Sequence, residues 1–412
     1  MTAVYHPGER RSALLLCLMG LDLLCLPMFH LGPVPWKPSY LLLLFYLPRM
    51  RLTAYHRAYA RPALLLAFLM WPALLTFWFY NDIQFTRERT LTFSFGFLLG
   101  TAGFALGFAR KNRHLDFITY LNVFYTAINA YLWLNFDTVP DLIRFYGLEE
   151  RLEEGLMAYR NMGVLFNPNV SAMSSLLLIV FYVIAYERGA LARRSMAWVV
   201  ANFVCVWATV LSFGSRGTLV ALALLTVYFF QKFVFSRNFL KLGVLLIIAL
   251  VLSKSLYDYD PLFAKRADIA LASVEGFKHV LDIDSQPATE TVVRPVRKLG
   301  LALERLAYSP LWGTGMETNA ENHPFEDAAF HNDALSLLAG EGILGFVAYL
   351  GLIGVAYRIS PVTFLLFLKG MVHSFVILVS HFLFFSIMMG YFYGQQHRYE
   401  NLIERSKKEI VE

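Results

Sequence analysis

Recurring apolar runs dictate what this chain can fold into. Stretches almost free of charge lie near 12–30, 38–48, 62–80, 90–108, 116–135, 170–186, 195–213, 218–235, 240–256, 333–356, 361–369 and 371–393. About 20 apolar residues at 1.5 Å each cross the hydrocarbon of a bilayer. Inside lipid every backbone amide must be satisfied within its own segment, which selects helices. The expected fold is therefore an all-α polytopic membrane protein with about twelve transmembrane helices, the runs at 38–48 and 361–369 being the shortest. Composition agrees: 16% of residues are charged, against roughly 25% in a soluble domain. Cys17, Cys25 and Cys205 all sit inside apolar runs with no CxxC pair. That pattern argues against a disulfide frame or a metal knuckle and for small buried hydrophobes. The first apolar run reads as a retained anchor, not a cleaved leader.

The net charge of +6 points to no nucleic acid, because its distribution follows the membrane. Lys and Arg collect in alternate loops, such as Arg49, Arg51, Arg57 and Arg61, or Arg188, Arg193 and Arg194. The opposite short loops are poorer, with Lys37, Arg87, Arg89, Arg216 and Lys369. Positive charge marks the cytoplasmic side, so both termini are expected there. Residues 1–256 then carry the first nine helices, with a smaller outer loop at 137–169. Residues 257–332 form one large outer loop. Residues 333–412 hold the last three helices and a cytoplasmic tail. Within the smaller loop, residues 148–160 read as an amphipathic helix on the membrane face. Within the larger one, apolar positions 299, 301, 303, 306 and 308 predict a helix over 297–309 that stops at Pro310.

Polar residues on the outer side supply the candidates for chemistry. Gly214-Ser215-Arg216-Gly217 is a short link between spans. Its arginine either snorkels or, with the turn's amides, presents a guanidinium to phosphate. Arg160 precedes Gly163 and the Phe166-Asn167-Pro168-Asn169 turn, where Asn and Pro suit a helix start. Arg160 itself fits a structural or a binding role equally well. Among the cations of the large loop, Arg294 and Arg297 are the candidates to reach a site; the other cations there read as paired with that loop's acids. His331 is followed by Asn332 and Asp333 at the junction of loop and span, and histidine takes a proton near neutral pH. Glu341 lies about 15 Å further along a helix, too deep for water-side chemistry. It reads as a group that steadies the helix presenting His331. The pairs Asp258/Asp260 and Asp282/Asp284 offer oxygens for a hard cation, but such acidic pairs are common in polar loops, and no metal site is assigned. No phosphate loop of the GxxxxGK[ST] type is present, and no cofactor is expected.

These residues together resemble a known family. His331-Asn332, nine residues, then Gly342-Ile343-Leu344-Gly345 is similar to the H[NSQ]-x9-G-x-x-G signature of O-antigen ligases. The same family includes O-antigen polymerases and bacterial protein O-oligosaccharyltransferases. Arg160-x2-Gly163-x2-Phe166-Asn167-Pro168-Asn169, Ser215-Arg216-Gly217 and Ser309-Pro310-Leu311-Trp312-Gly313-Thr314-Gly315 resemble further family segments, in the family's order. The resemblance covers roughly 155–346. It implies a GT-C-like membrane glycosyltransferase of the bacterial inner membrane, with its site facing the periplasm. The donor would be an undecaprenyl-diphosphate-linked glycan and the acceptor a hydroxyl of lipid A–core oligosaccharide. His331 would be the base, and Arg216, Arg160 and one of Arg294 or Arg297 would bind diphosphate. Ser215, Asn332, Asp333, Gly342 and Gly345 would support them. The reaction would invert the anomeric carbon and need no metal. The dominance of the second outer loop, where polymerases often have two sizeable ones, favours a ligase over a polymerase, and the chain's end soon after the last span favours it over an oligosaccharyltransferase. A lipid-linked glycan transporter, or flippase, is the alternative of a different class.

Overall fold

The computed structural model describes residues 7–25, 29–31, 34–41, 83–109, 115–135, 139–145, 163–165, 167–191, 195–213, 215–231, 254, 258, 290–314, 333–370 and 379–411. The described residues are helical apart from loops and one small hairpin. In chain order the helices are α1 (Pro7–Cys25), α2 (Ile83–Ala109), α3 (Phe117–Leu134), α4 (Val139–Phe145), α5 (Pro168–Glu187), α6 (Met196–Phe213) and α7 (Arg216–Phe230). Then come α8 (Glu290–Tyr308), α9 (Asp333–Ile359), α10 (Phe364–Gly370) and α11 (Val379–Val411). The hairpin pairs β1 (Phe29–Leu31) antiparallel with β2 (Val34–Trp36), Phe29 opposite Trp36. Among the described residues, α5, α6 and α9 are long and apolar enough to cross a membrane. Shorter apolar stretches are Leu16–Cys25, Ser94–Phe108, Gly217–Phe230 and Pro361–Gly370. This is an all-α membrane protein.

The chain divides into two compact units. The first comprises residues 1–28 and 113–285, the second 29–112 and 286–412. In the first unit α5 is the central helix, buried on all sides from Ser171 to Ala185. A helix apolar all round, with small serines at 171, 174 and 175, suits such a position. α3, α6 and α7 pack against it. Polar side chains tie the helices together, as they do where lipid gives no hydrophobic drive for association. The Asn122 amide donates to Asn202 Oδ1 (3.1 Å), Thr209 donates to Thr126 (3.0 Å), and the Trp207 indole donates to Thr226 (3.1 Å).

In the second unit α2 and α11 lie against each other along most of their length. Glycines make this possible. A Cβ at Gly103 would meet the carbonyl of Ile387, one at Gly107 that of Tyr391, one at Gly390 that of Gly100, and one at Gly394 that of Phe104. Small residues spaced this way let two backbones touch, which is how packing drives helix association in lipid. The contacts advance together along both chains, so the two helices run parallel.

Candidate functional site

The expected site residues fall in two places, one in each unit. In the first unit, Asn167 caps α5: its Oδ1 accepts from the amides of Asn169 (3.0 Å) and Val170 (3.2 Å), and Pro168 takes the first helical position. The segment before the cap is pinned too. Gly163 has φ of +67°, and a Cβ there would meet Ser171 and the ring of Phe213. The Val164 amide donates to Asn129 Oδ1 (3.0 Å), and the Tyr125 hydroxyl donates to the Ser171 carbonyl (3.0 Å). Gly163 is thus wedged between the start of α5 and the end of α6.

Ser215 precedes α7 with extended backbone. Its hydroxyl is buried and bonded to Thr218 Oγ1 at 3.0 Å, not to a backbone amide. Among the described residues the first amides of α7 therefore carry no side-chain cap. Arg216 is the first residue of this helix. Uncapped amides at a positive helix end, with an arginine at the first position, suit an anion. Arg160, His331 and Asn332 lie outside the described residues, as do Asp260, Asp282, Asp284 and the amphipathic stretch expected over 148–160. Asp258 pairs with Lys254 at 3.0 Å on an exposed face.

In the second unit α8 begins earlier than the predicted 297–309 and ends at Tyr308, just before Pro310. Its buried residues are Ala302 and Arg305, each 1% exposed or less, and Ala302 packs with Ala339 of α9. Arg305 is the largest fully buried side chain among the described residues. Arg294 and Arg297 both lie on α8.

The span expected over 333–356 is found as α9, and it carries a break that the hydropathy does not show. α9 is broken at Gly342, whose φ of 65° and ψ of −163° are not helical. Beyond the break, residues 343–359 make a continuous helical run of about 25 Å.

The Ser309–Thr314 loop fills this elbow. The amide of Ile343 donates to the Pro310 carbonyl (2.9 Å) and that of Leu344 to Leu311 (3.3 Å). In return the amide and hydroxyl of Thr314 donate to the Ala339 carbonyl (3.2 and 3.3 Å). The amides and carbonyl freed by the break are paired again, as backbone at membrane depth requires. Both turning residues are glycines of necessity: Gly313 has φ of +77°, and a Cβ there would meet the Gly340 carbonyl, while one at Gly342 would lie 2.6 Å from Gly313 N and from the Leu311 carbonyl group. Two motifs read separately in the sequence are one interlocked unit.

Glu341 sits at the elbow, fully buried, and neither carboxylate oxygen has a hydrogen-bond partner among the described residues. Gly345 makes room for it, since a Cβ there would meet the Glu341 side chain. An unpartnered buried acid is costly and by default marks function. Asp333 is buried at the start of α9. Sequence reasoning passed over Arg305 and Lys369, which the fold buries. The signal for Lys369 was its place: a cation in an apolar run, on the side poor in them.

No protein-family model matches this sequence, and no curated protein is significantly similar to it.

Proposed function

We propose that the chain is a membrane glycosyltransferase of the O-antigen ligase type, with about twelve transmembrane helices and both termini cytoplasmic. It transfers a glycan from undecaprenyl diphosphate to a hydroxyl of lipid A–core oligosaccharide at the periplasmic face of the bacterial inner membrane. The observation that supports this reading is the interlock of Pro310–Thr314 with Ala339–Leu344. Two of the four segments that resemble the family are mated through their backbones. The other two, at Gly163 and Ser215-Arg216, both lie in the first unit.

The chemistry follows from the leaving group. As the acceptor oxygen bonds to the anomeric carbon, the bond from that carbon to the diphosphate oxygen breaks, and the acceptor proton passes to His331. Attack opposite the leaving group inverts the anomeric carbon. Charge grows on the diphosphate, and fixed cations stabilise it more in the transition state than in the ground state. Arg216, at the uncapped start of α7, Arg160 and one of Arg294 or Arg297 take that role. Diphosphate leaves readily, so no metal is required. O-antigen polymerase and protein O-oligosaccharyltransferase share this chemistry and differ in the acceptor.

The elbow at Gly342 and the buried Glu341, which has no hydrogen-bond partner among the described residues, favour one further reading, a transporter of lipid-linked glycan, because broken helices with buried acids are a transporter device. The experiment that separates them is reconstitution in liposomes with a diphosphate-linked glycan donor and a lipid A–core acceptor. The ligase forms glycosylated lipid A–core. Glycan-on-glycan product indicates a polymerase, and glycosylated protein an oligosaccharyltransferase. Donor crossing the bilayer with its diphosphate bond intact contradicts all three enzymes.

A further inference from the structure

α8 gives one side to α9 and exposes another. Ala302 and Arg305 are buried, and Ala302 packs with Ala339 of α9. Leu299 and Leu303, one turn apart and so on one face, are 46% and 50% exposed. The loop that follows repeats the pattern: Leu311 is 54% exposed and Trp312 50%. Large apolar side chains clustered in the open mark a surface built for a partner.

The partner follows from what this surface joins. The amides of Ile343 and Leu344 donate to the carbonyls of Pro310 and Leu311, which seats Leu311 and Trp312 at the head of the helical run 343–359. Along that run Ile343, Val347 and Leu350, spaced four and three apart, form one exposed apolar stripe. α9 is long and apolar enough to cross a membrane, so the stripe faces lipid. The run rises about 25 Å against a hydrocarbon core of about 30 Å. Its head therefore lies close to the hydrocarbon boundary, the level where tryptophan concentrates. α8 leads into that level through Ser309 and Pro310, and its first half carries Arg294, Arg297 and Lys298. A basic helix with an apolar face, held at this depth, lies in the plane of the interface.

We propose that α8 is an interfacial helix: Leu299, Leu303, Leu311 and Trp312 bed into the acyl chains just below the lipid headgroups, and the bilayer is the partner of this face. A stretch expected in an outer aqueous loop then lies on the membrane, and the helix that carries Arg294 and Arg297 stands at the depth of lipid phosphates. This assignment does not depend on the ligase reading and holds for an enzyme and a transporter alike.

The test uses the full-length protein in vesicles of phosphatidylethanolamine and phosphatidylglycerol. With Cys17, Cys25 and Cys205 replaced by Ala, single cysteines from Leu303→Cys, Leu311→Cys and Glu304→Cys carry an NBD fluorophore. Glu304 is exposed too but turned about 100° from Leu303. One quencher is iodide, on both sides of the vesicles; the other is lipid with a nitroxide near the head of its acyl chain. The nitroxide lipid should quench positions 303 and 311 about threefold or more better than 304, and iodide should do the reverse. Iodide that quenches 303 and 311 as well as 304 overturns the proposal, because the face then stands in water. So does a position 303 that neither quencher reaches, which marks a cover of protein, from this chain or a second copy. The unlabelled protein gives a second measurement. Brominated lipid should quench the part of the fluorescence that Trp312→Phe removes; a removed part that bromine leaves untouched also overturns the proposal.

Discussion

Replacing Gly342 with Ala should unfold the elbow of α9, and its cost follows from the geometry. At φ of 65° and ψ of −163° the residue lies where essentially only glycine is found, and an L side chain there costs about 1–3 kcal/mol. The new Cβ also has nowhere to go. It would stand 2.6 Å from Gly313 N and from the carbonyl carbon and oxygen of Leu311. These are backbone atoms, themselves held by the hydrogen bonds from Ile343 and Leu344. Forcing extra atoms into a packed site adds about 1–3 kcal/mol. The sum, about 2–6 kcal/mol, is a large part of the roughly 5–15 kcal/mol that holds a protein folded. Gly354, on the second piece of the same helix, is the control. A Cβ there meets nothing within 4 Å, so Gly354→Ala should stabilise by about 0.5–1 kcal/mol through the unfolded chain. Thermal unfolding in detergent compares the two. A melting temperature at least about 5 °C lower for Gly342→Ala, with no loss for Gly354→Ala, is expected. Equal melting temperatures for Gly342→Ala and wild type would refute the elbow and its interlock with Pro310–Thr314.

Gly103→Leu would drive a side chain into the Ile387 carbonyl and part α2 from α11; proteolysis of the second unit should accelerate markedly relative to wild type. Asn122→Leu removes the amide bonded to Asn202 and should cost about 0.6 kcal/mol, at most about 1.7, in an unfolding titration. Glu341→Gln replaces a buried carboxyl group that has no hydrogen-bond partner among the described residues, so the melting temperature should hold or rise; a fall of several degrees would reveal a partner for it. Arg216→Lys should reduce glycan transfer strongly, because an ammonium does not reproduce the two-pronged guanidinium contact with phosphate; unchanged transfer would leave Arg216 a snorkelling cation.

Local chemistry was the readable part. Asn167 and Pro168 announced the start of α5, and Pro310 the end of α8, because caps and helix breakers act over a few residues. Membrane character followed from hydropathy for the same reason. The elbow was hidden because Ala339 to Phe346 is as apolar and glycine-rich as an unbroken span, and the carbonyls that complete it come from Pro310 and Leu311. Only the mate shows why Gly342 must be glycine. The burial of Arg305 and Lys369 was hidden likewise, since a cation's partner is a matter of tertiary packing. The glycines of α2 and α11 carry their pattern openly, yet a pattern of small residues does not name the helix that fits it.

In the proposed reaction His331 activates an acceptor hydroxyl against an arginine-bound diphosphate. A single-turnover transfer assay on reconstituted wild type and His331→Ala, in EDTA, with a lipid-diphosphate glycan donor of known anomeric configuration, tests it. Rapid transfer by wild type with inversion at the anomeric carbon is expected, with a loss of about 100-fold or more in His331→Ala at unchanged melting temperature. Retention of configuration, or transfer by His331→Ala at the wild-type rate, would contradict it.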